Sequence, residues 1–292
     1  MHSSLVECVP NFSEGRDPAK IDAIEQAIRA AGAAVLDRTS DHDHHRSVIT
    51  FAAPPEIAAE AAFRAVRQAV HTIDLRDHSG VHPRIGVADV VPFVPLNGSG
   101  LEECVRLAVE TGRRIWHELQ VPVYLYEAAA QRPESRNLAD VRRGHSQPDF
   151  GGPDHHASSG AVVVGARKFL VAYNVNLATS DLAIARGIAR AVRFSSGGLP
   201  YVKAVGVMLA SRHLAQVSMN LTDFEQTPVH VAYEAVRREA ERHGVGIAGT
   251  ELIGLIPQKA LDMSVAAGFR DPNLTPDIVL ENRLAGQFAG PA

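Results

Sequence analysis

The 292-residue sequence predicts an α+β fold of two tandem β-α-β-β-α-β units, the split βαβ order of ferredoxin-like folds. Two observations carry this. Short β-branched runs alternate with segments whose apolar residues recur at helical spacing. The same order of elements also appears in both halves, although no residue-level repeat accompanies it.

Residues 5–9 read as a short strand ending at Pro10-Asn11. Asp17 caps the helix that follows, Pro18 fits its first position and Gly32 stops it. Ile21, Ile24 and Ile28 fall on one face of that helix. Residues 33–36 make a second strand and residues 47–53 a third, with the polar loop 37–45 between them. A second amphipathic helix covers residues 56–70, with Phe63, Val66 and Val70 facing one way. A strand at 87–94, a helix at Leu101–Leu119 and a strand at 121–126 follow, and the arginine-rich stretch 127–149 reads as irregular. The second half opens with a strand at 169–175 and a helix started by Ser180 or Asp181 that runs to Arg193. Val202–Leu209 and Leu214–Leu221 pair around Ser211-Arg212. Thr227-Pro228 then begins a helix that Gly244 ends, and a strand at 245–248 follows. From Ala267 the chain reads as a tail containing proline and glycine.

Composition narrows the function. Hydrophobic residues at 46% and charged residues at 21% describe an ordinary globular protein. A formal net charge of -4 gives no electrostatic case for nucleic acid as a partner. Cys8 and Cys104 sit in apolar patterns without metal-clip spacing, as small buried hydrophobes in a reducing compartment do. No apolar run reaches the roughly 20 residues that span a bilayer, and the N-terminus lacks the basic region of a signal peptide. A cytoplasmic, soluble protein with no membrane partner is expected.

Four stretches carry chemistry. Asp77 to Phe93, DHSGVHPRIGVADVVPF, sets His78 and His82 around a Ser79-Gly80 turn, then a stiffening Pro83 and the cation Arg84, ahead of an apolar strand. Imidazoles move protons near neutral pH, so this suits an active-site loop; taken alone it equally suits a polar turn with solvated histidines. Ser40 to Val48, SDHDHHRSV, gathers Asp41, Asp43, three histidines and Arg46. A metal site, a solvated loop and an organic-substrate site all remain open there, though adjacent residues seldom converge on one ion, and no metal ligand is assigned. In Gly160 to Leu177, Gly165-Ala166 permits close backbone approach and Arg167 and Lys168 supply two cations. Asn174 and Asn176 share one strand face there, either to meet a heterocycle or as the polar side of an edge strand. Gln216, Ser218 and Asn220 alternate in the same manner. Neither a Walker nor a Rossmann spacing is present, and no GxSxG context supports a serine hydrolase.

Together, VPNFSEGRD (9–17), SDHDHHRSVITF (40–51), DLRDHSGVHPRIGVADVVPF (74–93), PDF (148–150), GARKFLVAYNVNL (165–177), LAQVSMNLTDFEQTPVH (214–230) and GTELIGLIP (249–257) resemble the formiminotransferase family of histidine degradation. The resemblance spans most of the chain in the family's order. It implies two ferredoxin-like subdomains, taken as residues 1–178 and 179–292, with the active site in the groove between them, and a homodimer. It implies formimino transfer between N-formimidoyl-L-glutamate and N5 of tetrahydrofolate, with folate as co-substrate and no metal. His82 matches the family's catalytic histidine. The folate-binding stretch matches Val163, Val164, Gly165, Ala166, Arg167, Lys168, Phe169, Leu170, Val171 and Ala172. Asp41, His45, Arg46, Arg84, Asn174 and Asn176 complete the expected substrate-binding set, the cations serving the carboxylates of glutamate and of the folate tail. The chain departs from the family pattern at His45 (usually Asn), near Val81 (usually Glu) and at Ser159 (often Trp), and the cyclodeaminase domain of bifunctional members is not expected in it. Related readings are transfer to a different amine and folate binding without turnover; a metal-dependent hydrolase built on residues 41–45 is the remaining class.

Overall fold

Several helix starts and strand periods act where the sequence puts them. In the computed structural model, which describes residues 4–288, Asp17 accepts a hydrogen bond from Ala19 N and opens helix α1, Pro18–Ala30. Gly32, at φ +91°, takes the left-handed turn that ends it. Before α1, Pro10 splits the first strand into β1 (Val6–Cys8) and β2 (Asn11–Phe12). Then follow β3 (Ala34–Asp41), β4 (Arg46–Ala53), α2 (Pro55–Thr72), β5 (Ala88–Pro95), α3 (Leu101–Leu119), β6 (Val123–Glu127), α4 (Leu138–Arg142) and β7 (Val162–Ala166).

These strands form one sheet. β4 lies between β3 and β1/β2, and β5 pairs antiparallel with both β1 and β2. β7 then adds parallel to β5, and β6 parallel to β7. Helices α1, α2 and α3 cover one face through Ile24, Ile28, Phe63, Val66, Leu107 and Ile115, all essentially buried. Each such side chain contributes about 1.5–3 kcal/mol through removal from water. On the other face Val90, Tyr124, Tyr126 and Val163 pack with Val141 of α4.

A second compact unit begins at Phe169. It contains β8 (Val171–Leu177), α5 (Leu182–Val192), β9 (Val202–Leu209), β10 (Leu214–Leu221), α6 (Val229–Arg242), β11 (Ile247–Ile253), α7 (Gln258–Ala266) and α8 (Leu280–Phe288). Its four strands are antiparallel in the order β11-β8-β10-β9, which is fourth, first, third and second along the chain. Tyr173, Val175, Val217 and Met219 join Ile188 of α5 and Val236 of α6 in its core.

The architecture is mixed α+β, with two sheets and eight helices among the described residues. It differs from the sequence expectation at several points. The division falls at Lys168/Phe169 and not at 178/179, because β8 finds its hydrogen-bond partners in β10 and β11. The strand expected at 169–175 is β8, preceded by an unanticipated β7. That run of small and β-branched residues is buried between two parallel neighbours, so it lacks the alternation that marks a half-exposed strand. The strand expected at 33–36 runs on to Asp41, since pairing with β4 outweighs its polar composition. The stretch 127–149 contains α4, and the tail after Ala267 contains α8. No helix among the described residues is long and apolar enough to cross a membrane.

Candidate active site

Three segments of the first unit meet closely: residues 13–17 after β2, residues 42–45 between β3 and β4, and residues 78–86 ahead of β5. Two glycines permit the approach. A Cβ on Gly15 would lie 2.2 Å from Asp41 O, and one on Gly80 would lie 2.5 Å from His44 O. Ser13 ties the first segment to the third, its N donating to Val87 O and its Oγ to Gly86 O.

Glu14 is buried and its Oε1 accepts from Gly15 N, Arg16 N and Asp17 N at 2.9–3.0 Å. The same oxygen lies 3.0 Å from His45 Nε2. Burial opposes the charge on Glu14, but the Arg16 and Asp17 amides and the His45 ring outweigh it, so its carboxyl pKa is lowered. His45 Nδ1 faces Ser79 O at 3.0 Å. The His45 ring stacks on His78, with centroids 4.0 Å apart and planes 9° from parallel. His78 Nε2 donates to His45 O at 2.9 Å, and burial lowers the His78 pKa to about 4.

His82 is half-buried, and its Nδ1 is 2.7 Å from Pro83 O. A carbonyl only accepts, so Nδ1 carries the proton and Nε2 of the neutral ring holds a lone pair. Burial first, and then the cations Arg46 and Arg142, hold the His82 pKa well below the ordinary histidine value. Those cations converge on Asp89, which is wholly buried. Arg46 Nη1 donates to Asp89 Oδ2 at 2.7 Å, Arg142 Nη2 bonds the same oxygen, and Ile85 N donates to Oδ1 at 2.9 Å. Burial opposes Asp89's charge, but Arg142 and Arg46 prevail and hold its carboxyl below the usual carboxylate range. One carboxylate beside two guanidinium groups leaves a surplus positive charge next to a neutral imidazole.

The structure thus brings His45, Arg46, Arg84 and His82 into one neighbourhood, Arg84 Nη2 donating to His78 O at 2.7 Å. Asp41 binds the His44 ring and amide. Among the described residues no group of three His, Cys, Asp or Glu is disposed to hold a metal ion. Of the stretch matched to folate binding, Val163, Val164, Gly165 and Ala166 belong to β7 and are buried; Arg167 is half-buried and donates to Lys168 O at 3.0 Å. Lys168 is exposed, Phe169 and Leu170 are half-buried, and Val171 and Ala172 start β8. Asn174 and Asn176 lie on β8 in the second unit, both buried. Asn176 accepts from Gln216 Nε2 at 2.8 Å and donates to Glu251 Oε1 at 3.1 Å.

Sequence reasoning assigned no role to Glu14, Asp89 or Arg142. A carboxylate followed by glycine just before a helix start was a signal for Glu14. Asp89 was a lone charge inside an apolar strand. Arg142 lay in the stretch read as irregular, where Asn137, whose side chain caps α4, and the apolar Leu138 and Val141 three apart were a short-helix signal.

Comparison with known proteins points one way. The model of the formiminotransferase domain's N-terminal subdomain matches residues 5–167, and that of the formiminotransferase domain matches residues 172–274. A glutamate formimidoyltransferase of Thermoplasma acidophilum is 46% identical, over 88% of this chain and 90% of its own length. One from Streptococcus pyogenes serotype M1 is 44% identical, over 89% and 91%. The formimidoyltransferase-cyclodeaminase of Rattus norvegicus is 44% identical over 92% of this chain, which spans 53% of that longer protein.

Proposed function

The chain belongs to the formiminotransferase family, and from that premise we propose that it is a transferase moving a formimino group between N-formimidoyl-L-glutamate and N5 of tetrahydrofolate. The observation that carries the mechanism is His82: neutral, with Nδ1–H held by Pro83 O and an Nε2 lone pair left over. N5 attacks the formimidoyl carbon, forming the new C–N bond and a tetrahedral intermediate. His82 Nε2 takes the proton from N5 and delivers it to the glutamate nitrogen as the old C–N bond breaks. Formimidoyl-tetrahydrofolate and glutamate are the products, and atoms and charge balance without a redox or metal step.

The surplus positive charge of Arg46 and Arg142 over Asp89, with Arg84 beside it, suits a glutamate carboxylate. Arg167 and Lys168 offer charge to the folate tail; Asn174 and Asn176 are carried as substrate-binding residues on the resemblance alone. We also read both units as ferredoxin-like; the β11-β8-β10-β9 order supports this in the second, and β3-β4-β1-β5 repeats it in the first. A homodimer, a cytoplasmic location and a place in histidine breakdown follow from family membership as proposals.

The test is direct. Purified protein mixed with tetrahydrofolate and a panel of formimino-amino acids should release glutamate and formimidoyl-tetrahydrofolate, detected by mass spectrometry, only with the glutamate donor. Turnover with another amino acid and none with glutamate would change the donor; folate binding without turnover would make the chain a binding protein.

A further inference from the structure

The His82 loop is anchored by something that takes no part in the transfer as written. Val81 N donates to Asp43 O at 3.2 Å, Ser79 O lies 3.0 Å from His45 Nδ1, and His78 Nε2 reaches back to His45 O at 2.9 Å. Among the described residues the His82 ring keeps its hydrogen bond within its own segment, to Pro83 O, and has His44 as its ring neighbour, with centroids 6.1 Å apart. Its position relative to Arg46, Arg142 and Asp89 therefore depends on how residues 78–81 sit against residues 43–45. At the centre of that contact stands His45, with φ of +49°. A histidine in the left-handed region costs conformational energy and persists where its surroundings demand it. The same turn lets the ring stack on His78 and reach Glu14 and Ser79 at once.

The partners of His45 define its state. Glu14 has three amide donors on the oxygen that meets His45 Nε2, and Lys20 Nζ lies 3.6 Å from its other oxygen, so it is held as a carboxylate. Ser79 O only accepts. Both ring nitrogens thus face acceptors, and the doubly protonated ring is the form that donates to both. A buried carboxylate–imidazole contact of this kind is weak evidence for stability, and what it supplies here is a fixed position for the loop.

We propose, building on the transfer reaction inferred above, that Glu14 and His45 form a positioning pair that clamps the His82 loop. Neither touches the reacting atoms; their role is to hold the His82 imidazole beside the two arginines. A displacement near 1 Å at a reacting group costs up to about 100-fold in rate.

Two readouts test this, one independent of catalysis. The first is the His82 titration followed by NMR in the substrate-free protein. The groups facing the His82 ring are Arg46, Arg142, Asp89 and His44; those around the clamp are Lys20, His78 and Arg84. In His45→Ala the loop is released, the His82 ring becomes less buried and lies farther from the two arginines, so its titration should move up toward the ordinary histidine value. The second is steady-state kinetics, where kcat should fall roughly 10- to 100-fold while both KM values stay within about twofold. His45→Gln, which keeps an N–H donor of similar reach, should recover part of both. If His45→Ala does not fold, Glu14→Gln answers the same question, because an amide oxygen can still accept the backbone N–H groups while the charge on the pair is lost. An unmoved His82 titration in a folded variant overturns the proposal, as does a change confined to KM. If the unsubstituted protein transfers no formimino group, the function proposed above fails, yet the NMR titration still decides whether the clamp positions His82.

Discussion

Replacing Asp89 by asparagine should be among the most damaging isosteric changes in the first unit. The carboxylate has no solvent exposure and takes Arg46 Nη1, Arg142 Nη2 and Ile85 N. Asparagine keeps an acceptor for Ile85 N but turns an amide N–H₂ toward one or both guanidinium groups, leaving two half-buried cations without their counter-ion. Breaking a buried pair from one side costs about 3–5 kcal/mol. At about 2–4 °C per kcal/mol for a unit of this size, melting should fall by about 6–20 °C. The pH dependence has a definite sign. Asp89 is held below its unfolded pKa, so its contribution is fully present above about pH 4 and is lost as pH falls through the folded value. The gap between the two proteins should therefore be widest near pH 7 and narrow on acidification. Urea melts at stepwise lower pH measure it directly. A variant within about 1 kcal/mol of the unsubstituted protein at pH 7 would refute the ion-pair accounting.

Other expectations follow from the same geometry. His82→Ala should lower turnover by roughly 10²–10⁴ with folate binding barely changed; in the unsubstituted enzyme the acid limb of kcat/KM should lie below about pH 6.5, because burial and the two arginines depress that imidazole. A folded His82→Ala protein that keeps most of its turnover removes the general base. Gly80→Ala should cost about tenfold or more in kcat, since its Cβ would sit 2.5 Å from His44 O and push the loop aside; a wild-type rate would mean the loop position is immaterial. Arg167→Ala with Lys168→Ala should raise the KM for folate, more so for polyglutamylated folate, and equal KM values would withdraw those two cations from the folate tail.

Much of the fold was legible because its signals are local. Asp17, Pro18 and Gly32 bound α1 through caps that act within one turn, and the apolar rows of α2 and α3 need only the 3.6-residue period. β7 was missed for the opposite reason: Val162–Ala166 is buried by neighbours on both sides, and that burial erases the alternation which would have announced a strand. His82, Arg46, Arg84 and His45 stood out in loops dense with histidine and arginine. Asp89 and Arg142 did not, since 53 positions separate them along the chain and their bond exists only after β5 and α4 meet.

The sequence by itself determined most of the elements, the family and the kind of chemistry, because helix caps, strand periods and clustered imidazoles are properties of neighbouring residues. Only the tertiary structure decided which groups work on one another. It set two arginines on one buried carboxylate, turned the His82 Nδ1 proton to Pro83 O, and joined Glu14 to His45 across 31 positions. Charge states and tautomers depend on burial and on the atoms that close the distance, and those are supplied by chain segments that local sequence cannot bring together.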